Sequence, residues 1–415
     1  MSQRVAIFGA GISGQAARRL ALAKGYETVL FDESGKGDRA VFEVGGDNEF
    51  DRFVFSPGFS AQHPWRVLAE QSGILCQSEL AFAAEHWLGK IVGVTGTNGK
   101  TTLTRLLTRA LELSGHPSVS AGNIGVPLSD IVQTYENTDE AQAVCEISSF
   151  QAELTDGLEL DALLWTNFAE DHLDRYKSMS DYFMAKARLF DCLKEGAIAV
   201  VGEQVVDWFK VFGKELNQAV VAQGDETVIN QLAGDCFFKR HPFSEDYFIA
   251  AEYWWMAGKE ESALIEAANT FEPSAHRLNV AVEKKGIRFW DDSKGTNFHA
   301  TLAALEAVPR PVVWIGGGSL KGGDVDLFAH EVSLKVDAAV VYGEAAPEMI
   351  ETLSENLETV HHCPQFENAV TRAAEIAQQI GDGASVLMSP GFSSFDQFSS
   401  YEERGKSFIS IVLGL

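Results

Sequence analysis

The sequence predicts an α/β protein of three domains built on parallel sheets. Three observations carry this: a strand-then-helix pattern starts near Arg4, restarts near Lys90 and restarts again near Ile287. A glycine-rich turn joins strand to helix in each of the first two, and polar loops rich in Gly, Ser and Thr follow the strands of the third. The 415 residues agree with three domains at roughly 150 residues each. In such sheets ligands gather at the carboxyl ends of the strands, so the loops there are where chemistry is sought.

Val5 to Phe8 is apolar and reads as a buried strand, Gln15 to Lys24 as an amphipathic helix, and Thr28 to Phe31 as the next strand. Between the first two lies Gly9-Ala10-Gly11-Ile12-Ser13-Gly14. Bare backbone N–H groups at a helix N-terminus can cradle a diphosphate. Asp32, after the second strand, is placed to hold a ribose hydroxyl, which invites a nicotinamide dinucleotide without identifying it. Glycines kept only for tight packing of helix on strand would look the same. The expectation is a Rossmann-like domain over residues 1–88.

Ile91 to Val94 opens the second domain as a strand, and a helix is expected from Lys100 to Ser114, ending at Gly115. The segment between reads Gly93-Val94-Thr95-Gly96-Thr97-Asn98-Gly99-Lys100-Thr101-Thr102. A phosphate-binding loop needs small residues for close backbone approach, a lysine for the β- and γ-phosphates and a hydroxyl for Mg²⁺, and all three are present. The strict pattern wants glycine where Val94 stands, so this is a variant. Glu146 ends the strand Ala143 to Cys145, the position from which a nucleotide enzyme offers a carboxylate to Mg²⁺. Glu170-Asp171-His172-Leu173-Asp174-Arg175-Tyr176 follows the strand Leu163 to Trp165, and Lys186 falls in a helix expected from Tyr182 to Phe190. A solvated polar turn and a surface lysine are the plain readings of these two. A helix over Tyr247 to Thr270 and the break Glu272-Pro273-Ser274 close a central P-loop ATPase-type domain at residues 89–273.

Strands resume at Ile287 to Trp290, Val312 to Ile315, Ala338 to Tyr342 and Ser385 to Met388, giving a second Rossmann-like domain over 274–415. Three loops follow strands here: Asp291 to Asn297, Gly316 to Lys321, and Ser389 to Phe398. Backbone N–H groups, hydroxyls and an ammonium in one crevice suit a small anionic molecule. His361-His362-Cys363 reads as a surface turn.

Thirty-three Lys and Arg against 59 Asp and Glu give a net charge of −26, which opposes nucleic acid or an anionic bilayer as the main partner. Val5 to Phe8 is too short for a signal-peptide core, and no run reaches the roughly 18 apolar residues of a membrane span, so a cytoplasmic protein without membrane insertion is expected. The five cysteines are scattered with no C-x-x-C spacing, which implies neither a disulfide framework nor a zinc site.

Taken in order, Thr95 to Thr101, the opening Gly9 to Gly14, Ser56-Pro57-Gly58, Gly122 to Pro127, Glu146 to Gln151, the Asp171-His172 turn, Asp292 to Asn297 and Ser394 to Phe398 resemble the Mur ligase family across essentially the whole chain. The resemblance implies an ATP-dependent amide ligation. The alanyl carboxylate of UDP-N-acetylmuramoyl-L-alanine is phosphorylated, and glutamate attacks the acyl phosphate. It further implies that the first domain holds UDP, not a nicotinamide, through Gly11, Ile12, Ser13, Asp32 and Gly58, with Asn123 and His172 reaching the muramoyl end. ATP falls to Gly96, Thr97, Asn98, Gly99, Lys100, Thr101 and Thr102, with Arg277 and Asp292 at nucleotide-contacting positions. Two Mg²⁺ ions are implied, one at Glu146 and Ser148 beside Thr101, the second at His172 and a Lys186 carbamylated on its amine, a change that makes the cation an anionic oxygen donor. Thr296, Lys321, Ser394 and Phe395 fall where the family grips the incoming amino acid, and a monomer is expected. The alternatives are a ligase for L-glutamate or another amino acid, and a non-catalytic UDP-sugar and nucleotide binder. A dehydrogenase read from the first glycine motif is the most distant.

One segment departs from the family, whose His-Asn-x-x-Asn stretch meets the nucleotide. Here it reads His241-Pro242-Phe243-Ser244-Glu245-Asp246-Tyr247-Phe248. Proline has no backbone donor and aspartate only accepts, so at least one amide contact is lost. The expectation is weaker ATP binding or a reshaped nucleobase pocket.

Overall fold

The computed structural model describes residues 3–43, 50–217 and 219–415; Met1 and Ser2, at the start of the segment read for a signal peptide, lie outside them. The chain forms α/β structure on three sheets, and its residues group into two compact units. Met1–Phe168, Ser178–Cys236 and Glu245–Phe271 make the first, and Ala169–Lys177, Phe237–Ser244 and Glu272–Leu415 the second.

In the first unit, β1 (Arg4–Phe8), α1 (Ile12–Ala23), β2 (Glu27–Phe31), β3 (Arg52–Phe55), α2 (Pro64–Gln71), β4 (Leu75–Ser78) and α3 (Glu79–Ala84) form a four-stranded parallel sheet in the order β2-β1-β3-β4. Beside it stands a six-stranded parallel sheet. Its elements begin β5 (Lys90–Thr95), α4 (Lys100–Leu113), β6 (Ser118–Gly122), α5 (Leu128–Thr134), β7 (Gln142–Glu146) and β8 (Leu160–Trp165). They continue α6 (Met179–Ala187), β9 (Leu193–Gly202), α7 (Glu203–Val211), β10 (Val220–Ala222), α8 (Glu226–Asn230), α9 (Phe243–Met256) and α10 (Glu261–Asn269). The strand order is β10-β9-β8-β5-β7-β6. β5 is central because Ile91, Val92 and Val94 are apolar on both faces, as a strand covered by helices on each side must be.

The second unit holds β11 (Asn279–Lys284), β12 (Ile287–Asp291), α11 (Phe298–Ala307), β13 (Val312–Gly317), α12 (Val325–Ser333), β14 (Ala338–Tyr342), α13 (Ala346–Asn356), β15 (Val360–His362), α14 (Phe366–Ile380), β16 (Ser385–Gly391) and α15 (Tyr401–Gly414). The order is β11-β12-β16-β13-β14-β15, parallel except for β11, which runs antiparallel to β12. The core packs Val313, Ile315, Val340, Val386 and Met388 against Ala369, Ala373 and Ala377 of α14.

Several elements differ from the sequence reading. The expected helix from Tyr247 to Thr270 is two, because the turn at Gly258, with φ +64°, separates α9 from α10. β11 was not anticipated, since its burial does not alternate cleanly and its register shifts at a bulge between Val280 and Val282. His361 and His362 are not in a turn but in the edge strand β15, paired with β14, and three residues are too few to show a period. α6 starts three residues early, where the Ser178 hydroxyl accepts from the Asp181 N–H, and tightens after Ala187 into a 3₁₀ turn.

The two sheets of the first unit share one core, in which Val5, Ile7 and Leu30 pack in a cluster with Phe82, Ile131, Cys145 and Leu163. Polar groups cross the same junction. Arg66 pairs with Glu153, both buried, and Glu79 Oε1 accepts the Ser129 N–H of α5 at 2.8 Å. Burial pushes the Glu79 carboxyl from its ordinary 4.5 up to about 7. The folded chain therefore keeps a proton that the unfolded chain has lost, and stability falls as pH rises from 4.5 toward about 7, then levels. Glu79→Gln keeps an acceptor for Ser129 and cannot ionise. Urea unfolding is expected to show it more stable than the native chain by up to about 3 kcal/mol near pH 8, the gap shrinking to less than about 1 kcal/mol near pH 5. Equal stabilities at both pH values would refute this account.

Candidate active site

In the first unit the chain leaves β5 at Thr95 and reaches α4 through Gly96 to Gly99. Gly99 is left-handed, with φ +83°, and a Cβ there would come within 2.1 Å of Asp246 Oδ1, so both conformation and space demand glycine. Neighbouring strand ends hold the loop. Thr97 N–H donates to the Asn167 carbonyl at 3.0 Å, Asn98 N–H to Asn167 Oδ1 at 2.9 Å, and the Thr166 hydroxyl to the Asn98 carbonyl at 2.5 Å. Lys100 Nζ folds back onto the carbonyls of Gly96 at 2.9 Å and Thr97 at 2.8 Å.

Lys186 reaches the same loop. Its side chain is 1% exposed, and its Nζ donates to the Gly96 carbonyl at 2.8 Å and lies 5.1 Å over the Tyr182 ring. It is thus no surface lysine, and burial was the signal the sequence could not supply. Glu146, buried at the end of β7, accepts from the Thr101 hydroxyl at 2.7 Å and from Asn123 Nδ2 at 2.8 Å. Ser148 donates its hydroxyl to Gln151 Oε1 at 3.0 Å. Thr101, Glu146, Asn123, Lys100 and Lys186 are therefore joined through one loop and one carboxylate.

For Mg²⁺ the relevant chemistry is that it takes one or two carboxylates with waters and substrate phosphates, not a full protein cage. A carboxylate hydrogen-bonded to a helix-start hydroxyl meets that need at Glu146 and Thr101. Among the described residues no three His, Cys, Asp or Glu side chains gather as a metal site.

The first glycine turn is also closed by its own residues. Gly14 packs against the Gly9 carbonyl, leaving no room for a side chain. Asp32 accepts the Ala10 N–H at 2.7 Å and the Ser34 N–H and hydroxyl, and these bonds, the Ser34 hydroxyl first, hold its carboxyl below the usual range. Gly11 and Ile12 stand exposed, Ser13 half-buried and Gly58 exposed, so the surface of this turn is open.

The departing segment has a structural outcome of its own. His241 Nε2 lies 3.4 Å from Glu306 in the second unit. Asp246, in the first turn of α9 and in the first unit, is buried with its carboxylate against Gly99. The spacing alone had not shown that this acid touches the loop.

The second unit has its own cleft, lined by Glu170, His172, Thr296, Asn297, Lys321 and Phe392 among others. His172 is left-handed, with φ +57°, and its N–H donates to Asp171 Oδ1 at 2.9 Å; Asn297 Nδ2 donates to Asp171 Oδ2 at 3.2 Å. Lys321 Nζ lies 3.5 Å from the Thr296 carbonyl. Ser394 is buried, whereas Phe395 is exposed. Asp292 lies beneath, accepting from the Ser389 hydroxyl at 2.7 Å and the Leu278 N–H at 3.1 Å, and burial pushes its carboxyl up to about 7. The charge of Arg277 opposes that shift, and Arg277 Nε is buried without a hydrogen-bond partner among the described residues.

Sequence reasoning missed Arg404, on α15, because nothing in its surroundings marks it. It is wholly buried, donating Nε to the Ser293 hydroxyl at 3.0 Å, Nη2 to the Ser293 carbonyl at 2.9 Å, and Nη1 to Tyr342 Oη at 3.1 Å and the Phe392 carbonyl at 3.2 Å. It thereby ties the loops after β12 and β16 to the end of β14. It also missed Asn167, which reads the loop from the neighbouring strand end.

Fold and loop together define a parallel-sheet α/β protein with a glycine-rich, lysine-ended loop between strand and helix. Residues 94–253 match the Mur ligase middle domain, and residues 276–391 match the Mur ligase glutamate ligase domain. A protein of Gloeobacter violaceus named UDP-N-acetylmuramoylalanine--D-glutamate ligase is 32% identical over 99% of both chains. One of the same name from Chlamydia pneumoniae is 32% identical over 99% of this chain and 98% of its own. The chain belongs to the Mur ligase family. Among solved structures, MurF from Acinetobacter baumannii shares the fold, with a TM-score of 0.64, 14% identity, and coverage of 100% of this chain and 91% of that one. MurF ligase from Thermotoga maritima, solved in complex with ADP, does so with a TM-score of 0.61, 18% identity, and 99% and 94% coverage.

Arg404→Leu leaves two carbonyls and two hydroxyls without their donor, and urea unfolding is expected to show a loss of about 2–5 kcal/mol. Arg404→Lys is expected to recover only part, because an ammonium lacks the planar fork that reaches four acceptors. A neutral Leu variant would remove Arg404 as the tie between these loops.

Proposed function

We propose that this protein is an ATP-dependent ligase that adds D-glutamate to UDP-N-acetylmuramoyl-L-alanine through an acyl phosphate, in the synthesis of peptidoglycan precursors. The observation that carries this reading is the loop from Gly96 to Thr102, joined through Thr101 to the strand-end carboxylate of Glu146, in a chain that matches relatives named for the reaction along almost its whole length. The alanyl carboxylate oxygen attacks the γ-phosphorus of ATP and ADP leaves; the glutamate amine then attacks the acyl carbon, and phosphate and a proton leave.

In this reading residues 1–88 form a Rossmann-like domain holding UDP through Gly11, Ile12, Ser13, Asp32 and Gly58, with Asn123 and His172 toward the sugar. Residues 89–273 form a P-loop ATPase-type domain, in which the loop from Gly96 to Thr102 receives the phosphates on N–H groups that Asn167 does not already take, and Lys100 turns from the loop carbonyls toward them. Residues 274–415 are Rossmann-like, with Arg277 and Asp292 serving the nucleotide and Thr296, Lys321, Ser394 and Phe395 the amino acid; Lys321 suits a carboxylate. Thr101, Glu146 and Ser148 would hold one Mg²⁺, and a carbamylated Lys186 would offer an oxygen to a second; Mg²⁺, when bound, neutralises charge on the phosphoryl oxygens. The buried position of Lys186 supports the modification, because a buried ammonium is costly and a carbamate converts it into an oxygen ligand. We place the enzyme in the cytoplasm as a monomer.

The deciding experiment is ADP release by the purified chain with ATP, Mg²⁺ and UDP-N-acetylmuramoyl-L-alanine, run with D-glutamate and with L-glutamate. Release dependent on D-glutamate is expected. Release with L-glutamate alone moves the protein to a ligase of the other enantiomer, and silence with both from folded protein makes it a binder. Lys186→Gln is expected to lower kcat by at least about a hundredfold while the chain stays folded. Unchanged turnover would remove Lys186 from the site.

A further inference from the structure

α9 carries two faces of different use. Asp246, Ile249, Ala250 and Tyr253 are buried toward the sheet and the glycine loop. Residues 247, 248, 251, 252, 254 and 255, at the spacing of one helical face, line a cleft of about 550 Å³ closed on its other sides by β10, the loop and helix after it, and α10. None of the residues assigned to ATP, UDP-sugar, amino acid or metal lines it. Its volume lies within the range of small-molecule sites, roughly 300–1,000 Å³.

The walls are chemically one-sided. Phe248 packs against Gly224, and Trp255, 71% exposed, offers its indole on the lining. Val220, Val221, Val228, Ala251, Leu264 and Ile265 add further apolar wall. The charged groups on the lining are Asp225, Glu252 and Glu261, and among the described residues the lining contains no Lys, Arg or His. The Thr227 hydroxyl and N–H hold the Asp225 carboxyl below the usual range, so this acid is ionised at neutral pH. The Trp254 ring, itself on the lining, faces a cation of the chain, Lys259 Nζ, 5.5 Å from its centroid. Aromatic faces and carboxylates are together the surroundings that attract an organic cation, and they repel an anion.

We propose that this cleft is a binding site for a small amphiphilic organic cation, an ammonium or amidinium group carried on an apolar body, distinct from the substrate sites of the ligase. The apolar body packs on Phe248 and Trp255, and the cationic head faces Glu252 and its neighbouring carboxylates.

The test titrates the full chain with benzyltrimethylammonium, following indole fluorescence and heat, beside benzoate and neutral benzyl alcohol as controls of similar apolar body. Saturable quenching by the cation alone is expected, lost in Trp255→Ala and weakened about fivefold in Glu252→Gln. Both variants should keep the native unfolding transition, because Trp255 is largely exposed and Glu252→Gln changes a half-buried side chain to one of nearly the same shape. Equal binding of benzoate or benzyl alcohol, or an unchanged Glu252→Gln titration, would overturn the assignment. So would light scattering that shows a dimer broken by Trp255→Ala, since a second copy would then be what covers the face.

Discussion

The carbonyl of Gly96 accepts from two lysines at once, Lys100 from within the loop and Lys186 from α6. Two ammonium groups gathered on one carbonyl repel each other, so the arrangement needs a carbonyl held in place and a negative charge nearby. The strand ends around it meet those conditions. Thr166 and Asn167 at the end of β8 occupy the loop's outward N–H and carbonyl groups, and Glu146 at the end of β7 supplies a negative charge anchored by Thr101 and Asn123. A parallel sheet makes this possible because all its strands end on the same side. Side chains from β5, β7 and β8, far apart in sequence, converge there without long reach.

The first sheet depends on the same unit. It is only four strands wide, and its apolar face is completed by the six-stranded sheet, with one core running through both. Ionisable groups cross that junction, Glu79 of α3 accepting from the N-terminal turn of α5 and Arg66 pairing with Glu153, and burying an acid there makes stability pH-dependent. The glycine turn after β1 is therefore presented by a sheet whose core is shared with its neighbour.

The second unit solves a similar problem with an arginine. Its strand-end loops are rich in glycine and serine, which approach ligands closely but have little packing of their own. Arg404 joins them through five hydrogen bonds beneath the surface, a task for which the planar guanidinium is suited. Asp292 and Arg277 lie close by, one with its carboxyl raised by burial and the other with an Nε that has no hydrogen-bond partner among the described residues.

By itself the sequence determined the class of fold, the loop from Gly93 to Thr102 and the strand-end position of Glu146, because these rest on local properties: apolar runs of strand length, small residues that permit a tight turn, and a helix that begins beside them. It also carried enough ordered motifs to show its family. Tertiary structure decided what depends on residues distant in sequence. Lys186 reads as a surface lysine until β5 and α6 are packed together, and Asp246 reads as a lost amide until it is seen against Gly99. Arg404 carries no local signal, because its partners come from three other segments. The antiparallel β11 and the edge strand β15 were hidden for a related reason: one bends at a bulge and the other is too short for periodicity, so pairing with a neighbour, not pattern, makes each a strand.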